Sequence, residues 1–295
     1  MRLPEDLDFW HGVPGGTAWL ASLPSRVEAC AESWSLTVGE LLGGGAVALV
    51  LAASRADGTP AVLKLSFPED EESEFEVDAL DHWRGHGAAR LLERDDGRRA
   101  LLLERAVPGT PLWDVEDDDE ATAIAAGVLR RLHVVPVAPA HPFRSLEDAA
   151  ARWSETIPAD WHATGRVFSR RLVDVAVDAC ASLPGSGTDA VVLHQDFHGA
   201  NVLRSADGWV VIDPKPLVGD PAFDAASLLR DRRWRLGSVG DARRIRRRLD
   251  LLTELAGLDR ERMRLWGVVH ALAWGVSGRK VEPEMVRCAE LLADA

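Results

Sequence analysis

The sequence predicts an α+β fold of two lobes, a small β-rich N-terminal lobe and a larger, mainly helical C-terminal lobe. Three observations predict it. From Leu36 to Arg105 the apolar runs are short and broken by Gly43-Gly44-Gly45, Asp57-Gly58 and Asp95-Asp96-Gly97, the texture of strands joined by turns. Beyond Pro108-Gly109 the apolar residues recur mainly at helical spacing. The length of 295 residues with 46% hydrophobic content exceeds one ordinary core and suits one large domain or two lobes.

Taken in order, residues 1–35 mix short apolar stretches with Pro and Gly and form a helical or irregular lead-in. LTVGELLGGGAVALVLAASRADGTPAVLKLSF then reads as two strands around a glycine-rich turn, followed by a hairpin into a third strand that ends near Lys64. A helix follows, with Phe75, Ala79, Leu80 and Trp83 on one face and acids crowding its first turns. Leu91–Arg94 and Ala100–Arg105 form a second hairpin, and Glu104–Gly109 a connector. TAIAAGVLRRLHVV, SLEDAAARWSETI and RVFSRRLVDVAVDACASL are helices, and VVLHQDFHGANVL and WVVIDP are short strands or loops. Residues 221–295 are helical apart from Gly-containing breaks. The expected division is residues 1–105 as a nucleotide-binding lobe and 106–295 as a helical lobe with the catalytic loop and an acceptor pocket.

Composition excludes several classes. A formal net charge of −13 repels phosphate backbones and anionic lipid, so neither nucleic acid nor a membrane surface is an expected partner. Such a surface attracts cations. Cys30, Cys180 and Cys288 are far apart with no CxxC pair, which suggests neither zinc nor a disulfide framework. No stretch has the form of a signal peptide or reaches membrane-spanning length, so the cytoplasm is the default expectation.

The most specific segment is His194-Gln195-Asp196-Phe197-His198-Gly199-Ala200-Asn201, with Asp213 twelve residues beyond Asn201 in VVIDP. Phosphoryl transfer from ATP needs a carboxylate to orient the attacking hydroxyl and accept its proton, and oxygen ligands to hold Mg²⁺ on the phosphates. Positioning and electrostatics supply nearly all of the rate. Asp196 as base, with Asn201 and Asp213 as metal ligands, meets that need. His194 is read as a buried brace of the loop. His198 either packs in the loop or sits near the substrate hydroxyl.

Lys64 ends an apolar strand that carries no other charge, which suits a cation turned inward onto ATP phosphates. It needs a carboxylate from the next helix, and Glu76 is the first choice, Glu74 the second. Gly43, Gly44 and Gly45, about twenty residues earlier, suit a turn whose N–H groups cover the phosphates. Glu104 to Ala106 would form the connector, where adenine is read by backbone groups.

These motifs resemble the aminoglycoside phosphotransferase family of the protein-kinase-like fold, and within it the streptomycin 6-kinase and hydroxyurea-resistance kinase branch. The resemblance runs from about Leu36 to Arg230 and rests on GGGAVALVL, AVLKL, GAARLL, LLLER, HQDFHGANVL and VVIDPKPLVGDPAFDAASLL. It implies a bilobal fold with ATP in the cleft and transfer of the γ-phosphate to a small-molecule hydroxyl. By motif position it implies Asp196 as base, Asn201 and Asp213 as metal ligands, Lys64 with Glu76 as the phosphate clamp, and Glu104 to Ala106 as hinge. Asp213 is followed by Pro214-Lys215 rather than Phe-Gly, which argues against a protein substrate. Gln195 stands where many members carry Gly. Asp220 is expected as an N-cap ahead of Pro221 and Asp224 as a brace of the catalytic loop. Lys215 either touches a phosphate or is exposed.

The acceptor is expected to be small and cationic, of the streptomycin type, met by residues 110–190 and 230–295. His270 and Trp274, four apart on a helix, are candidate contacts beside His198; Trp153, Trp161, Glu155 and Asp160 lie in the other segment. DVEDDDE (114–120) reads as a solvated helix start and RRIRRR (243–248) as a charged helix face. Two alternatives remain open: a kinase of another small hydroxylated metabolite or sugar, and a nucleotide-binding pseudokinase regulator.

Overall fold

A computed structural model describes residues 4–42, 48–71, 73–187, 189–230 and 241–295. The glycine triplet Gly43, Gly44 and Gly45 lies outside the described residues.

A helix α1 (Gly16–Ser33) precedes strands β1 (Thr37–Leu41), β2 (Ala48–Ser54) and β3 (Pro60–Ser66). Helix α2 (Glu76–Trp83) and strands β4 (Leu91–Asp95) and β5 (Ala100–Glu104) follow. The strands form one antiparallel sheet in the order β1-β2-β3-β5-β4. Two-residue alternation sets its two faces. Ala100 and Leu102 of β5 join Leu49, Leu63 and Leu65 beneath Leu20, Leu23 and Val27 of α1. Leu101 and Leu103 point the other way, into a cluster with Ala79, Leu80 and Trp83 of α2. Gly16 is required where α1 starts, because a Cβ there would lie 1.9 Å from the Trp10 carbonyl oxygen.

Beyond the connector come α3 (Asp118–His133), β6 (Arg144–Ser145), α4 (Leu146–Ala163), α5 (Arg170–Ser182) and β7 (Val191–Leu193). Then follow β8 (Val202–Ser205), β9 (Gly208–Val211), β10 (Leu217–Gly219), α6 (Ala225–Leu229), α7 (Asp241–Ala256) and α8 (Arg260–Gly275). The chain ends with β11 (Val276–Ser277), β12 (Lys280–Val281) and α9 (Pro283–Ala293). The small hairpin of β11 and β12 interrupts a stretch the sequence reads as helical. Strand β10 lies between β6 and β7, and β8 pairs with β9 as a hairpin and on its other edge bridges Pro111 through Leu203. The segment 194–201 therefore spans two small sheets, and Asp213 lies on the return between them.

Two charged segments behave differently from expectation. The acidic start of α3 is not simply solvated, nor is the basic run of α7 a plain surface. Arg248 is buried and places Nε and Nη2 at 3.0 and 2.7 Å from Asp118 Oδ1, and Arg247 meets Asp119. The physical reason is packing: α3 and α7 lie side by side, so opposite charges on facing turns neutralise each other.

Candidate active site

The loop after β7 is held from behind by one buried carboxylate. Asp224 is fully buried and accepts the backbone N–H of His194 (3.0 Å) and of Gln195 (2.8 Å). His133 Nε2 lies 2.9 Å from the same Asp224 carboxylate. His194 is also fully buried, its Nε2 2.9 Å from the Ile212 carbonyl, and burial holds it neutral by lowering its pKa against the pull of Asp224 and Asp196. Gln195 sits at φ 66°, the left-handed region that glycine enters most easily. That conformation turns the next residue, Asp196, away from the strand. Asp220 caps the short helical turn after it, accepting Ala222 N–H at 3.0 Å and Trp266 Nε1–H at 2.7 Å.

Asp196 presents a carboxylate whose two oxygens meet different groups. Oδ1 lies 3.5 Å from Arg230 Nη2. Oδ2 lies 3.5 Å from His198 Nε2 and accepts Asn201 Nδ2–H at 3.3 Å. Burial pushes its pKa up, but the His198 hydrogen bond and the charge of Arg230 help to outweigh that and hold it down to about 2. His198 accepts the Ala200 N–H on Nδ1 (3.2 Å), which leaves Nε2 as the donor, and its ring stacks on Trp113 with centroids 5.5 Å apart.

Lys64 brings the sheet to this loop. Its Nζ is 2.7 Å from both Glu76 oxygens and 2.6 Å from Asp213 Oδ1. Glu74, the second-choice partner, turns instead to Arg144 at 2.7 Å. Burial alone would lower the Lys64 pKa, yet Asp213 and Glu76 raise it and keep it protonated. Burial also pushes the Asp213 carboxyl up, but Lys64 and Lys215 hold it well below the usual range. Glu76, wholly buried, is pushed up by desolvation while Lys64 pulls it down. One ammonium on both of its oxygens at 2.7 Å is the geometry of an ionised pair.

Asp213 and Asn201 fit a hard cation that arrives with phosphates. Both ammonium groups near Asp213 converge on Oδ1, Lys215 at 3.2 Å, so Oδ2 remains. Asn201 donates its Nδ2 to the Asp196 backbone oxygen at 3.0 Å, leaving its side-chain oxygen as the donor atom for a cation. Among the described residues no cluster of three or more His, Cys, Asp or Glu could cage a metal by itself. Two protein oxygens plus substrate phosphates is the pattern Mg²⁺ favours.

The connector is backbone-tied. Glu104 N–H bonds the Arg90 carbonyl at 2.9 Å, and Gly109 N–H bonds the Arg204 carbonyl at 2.9 Å. Ala106 is half-buried between these ties.

Asp196 opens onto a cavity of about 770 Å³. Its walls carry three indoles, Trp113, Trp153 and Trp274, together with Glu71, Asp148, Arg144, Arg152, Lys215 and Arg230. Arg144 is neutralised by Glu74, and Arg230 faces Asp196, so the lining is mixed rather than strongly acidic. Here the expectation for His270 is corrected. The α8 spacing puts it beside Trp274, but His270 is fully buried and stacks on that indole with centroids 3.9 Å apart and planes 2° apart. It backs the cavity wall rather than lining it, because α8 turns Trp274 outward and His270 inward, against Phe223. Trp161 is likewise a core residue, its Nε1 donating to the Phe168 carbonyl at 2.9 Å, and Asp160 accepts the Gly278 N–H. The sequence reading missed Arg230, Trp113 and Asp148; none belongs to a local pattern that announces chemistry.

Comparison with known proteins identifies relatives of the chain. A family model described as aminoglycoside/hydroxyurea antibiotic resistance kinase matches residues 33–281. A streptomycin 6-kinase of Streptomyces griseus is 40% identical over 290 residues, covering 96% of this chain and 93% of that protein. A hydroxyurea phosphotransferase of Kitasatospora aureofaciens is 40% identical over 293 residues, covering 96% and 82%. Among solved structures, a choline/ethanolamine kinase family protein from Mesorhizobium loti superposes with a TM-score of 0.63 at 15% identity, covering 92% of this chain and 94% of that one. That likeness concerns the fold alone.

Proposed function

The chain belongs to the aminoglycoside/hydroxyurea antibiotic resistance kinase family, and from that premise we propose that it transfers the γ-phosphate of ATP to a hydroxyl of a streptomycin-type aminoglycoside, with Asp196 as the base. The observation that supports this reading is the pairing of Asp196 with Asn201 and of Lys64 with Asp213, with Asp196 and Lys215, which meets Asp213, lining a cavity walled by three tryptophans.

Asp196, ionised at neutral pH, orients the acceptor hydroxyl and takes its proton. Asn201 and the free oxygen of Asp213 would hold Mg²⁺, which when bound neutralises phosphate charge. Lys64, held by Glu76, sets the phosphates in line. Glu104 to Ala106 offers the adenine its backbone. In this reading residues 1–105 serve the nucleotide and 106–295 carry the loop and acceptor cavity, with Glu71 and Phe75 closing the cavity from the other side.

A cationic acceptor fits two features of the cavity. The exposed face of Trp274 offers a cation–π surface, and Asp148 on the rim has no ion pair shorter than 4 Å to the described residues. His198, stacked on Trp113 and beside Asp196, is placed to touch the reacting end of the acceptor.

The direct test is incubation with ATP, Mg²⁺ and streptomycin, read as phosphorylated product. Absence of both transfer and binding would sink the acceptor assignment. An acceptor panel that includes hydroxyurea separates this reading from a kinase of another small molecule. Asp196→Asn should lower the rate by ~10²–10⁴-fold while ATP still binds.

A further inference from the structure

One carbonyl ties the loop of Asp196 to the loop of Asp213. The His194 oxygen accepts the backbone N–H of Asp196 at 2.8 Å and that of Lys215 at 3.0 Å. The two backbones are thus pinned to a single atom. Asp213 sits at φ 58°, which turns the chain sharply, and Pro214 fixes the φ that follows. With that turn Asp213 faces Lys64 of β3, while Lys215 lines the acceptor cavity together with Asp196.

The two lysines share one carboxylate oxygen unequally. Lys64 Nζ lies 2.6 Å from Asp213 Oδ1, and Lys215 Nζ lies 3.2 Å from the same atom. A tight charge-assisted hydrogen bond is about 2.7–2.9 Å, so Lys64 is the firm partner and Lys215 the loose one. Lys64 is fixed further by both oxygens of Glu76. Lys215 carries its ammonium on a flexible stem, and its side chain is 12% exposed. Its head can turn from Asp213 toward the cavity while Lys64 still pairs that carboxylate.

We propose that Lys215 is a second catalytic residue of this site, placing its ammonium on the oxygens of the phosphoryl group as that group crosses to the acceptor. The proposal rests on the kinase reading of Asp196. In the step, the acceptor oxygen bonds to the γ-phosphorus as its proton passes to Asp196. The bond from that phosphorus to the bridging oxygen breaks, and its electron pair leaves with ADP. Lys215 stays protonated throughout and only donates hydrogen bonds. Lys64 serves the nucleotide from the sheet, whereas Lys215 shares a backbone anchor with the base and meets the phosphoryl group where the hydroxyl attacks. Charge held in place by the fold acts with little reorganisation, which is why it carries much of the rate in phosphoryl transfer.

Three variants test it: Lys215→Met, Lys215→Arg and Lys215→Cys. Lys215→Met should lower kcat by ~10²–10³-fold, the scale of losing one transition-state donor, with KM for ATP within about twofold of wild type. Lys215→Arg keeps the charge and should recover a large part of the loss. Lys215→Cys treated with 2-bromoethylamine regains an ammonium of nearly the same reach and should regain activity; the native cysteines are buried, so wild type serves as the treated control. An unchanged kcat overturns the proposal, as does a fall in Tm with recovery from neither cation. A second measurement needs no acceptor. Aluminium fluoride with ADP and Mg²⁺ mimics the phosphoryl group in flight, and should raise the Tm of wild type above that with ADP and Mg²⁺ alone. The rise should be much smaller in Lys215→Met, and equal rises overturn the role of Lys215. If wild type shows that rise but transfers nothing to streptomycin, only the acceptor assignment has failed, and the two rises still judge Lys215. If wild type neither hydrolyses ATP nor shows the rise, the kinase reading has failed and the role of Lys215 falls with it.

Discussion

Lys64 Nζ and Asp213 Oδ1 stand 2.6 Å apart although 149 residues separate them in the chain. Together with Glu76 they make one buried ammonium between two carboxylates, which ties the sheet to the loop that follows β9. Removing the ammonium leaves the Glu76 carboxylate buried and uncompensated, whereas Asp213 keeps Lys215.

Lys64→Met should therefore lose stability as well as activity. Breaking a buried pair costs about 3–5 kcal/mol, so Tm falls along with phosphate transfer. Lys64→Met combined with Glu76→Gln should regain much of the Tm without regaining activity, because the buried charge is gone but the phosphate-facing cation is still missing. A double variant no more stable than Lys64→Met would refute that account.

Gln195→Gly should not destabilise the protein. The left-handed conformation costs a non-glycine residue about 1–2 kcal/mol, while glycine carries an extra entropy cost of about 0.5–1 kcal/mol. The balance favours glycine slightly, and a Tm equal to wild type or higher by about 1–3 °C is expected. Gln195→Val, β-branched at φ 66°, should lower it. A destabilised Gln195→Gly would show that the Gln195 side chain holds the loop in some other way.

The parts of the fold and site that local pattern could show were legible. Strand alternation around Lys64 and the two hairpins follow from spacing alone. Asp196 and Asn201 lie on one short loop, five residues apart. Arg230 and Arg248 were not legible, because each acquires its partner only through helix packing across 34 and 130 residues. His270 and Trp274 show the limit of periodicity. Spacing of four places two residues on one helical face, but it does not say which of them meets solvent and which lies beneath.

Asp118→Asn should cost far more than Asp119→Asn. Both carboxylates pair with arginines of α7, but Asp119 and Arg247 are 50% and 51% exposed, and such pairs contribute about 0–1 kcal/mol. Arg248 is 3% exposed and fixed to Asp118 by three contacts between 2.7 and 3.2 Å. Loss of that carboxylate removes the charge that faces a buried guanidinium, and breaking such a buried pair costs about 3–5 kcal/mol. Denaturant midpoints at constant m value distinguish the two variants.

His270→Phe should change how stability depends on pH. His194 and His270 are wholly buried, and desolvation lowers both pKa values from 6.5, His270 strongly. The unfolded chain therefore takes up protons below pH 6.5 that the folded chain refuses. Stability falls as pH drops through that window, at about 1.4 kcal/mol per pH unit for each such histidine, until the folded pKa is reached. Phenylalanine cannot be protonated and retains a flat ring against Trp274. The slope of unfolding free energy between pH 6.5 and 5 should thus become shallower in His270→Phe. Acceptor KM should stay near wild type, since Trp274 keeps its backing; His270→Leu, which has no ring to stack, should raise it. An unchanged slope would mean that His270 titrates alike in both states, and an unchanged KM in His270→Leu would remove the stacked ring from the account of the cavity wall.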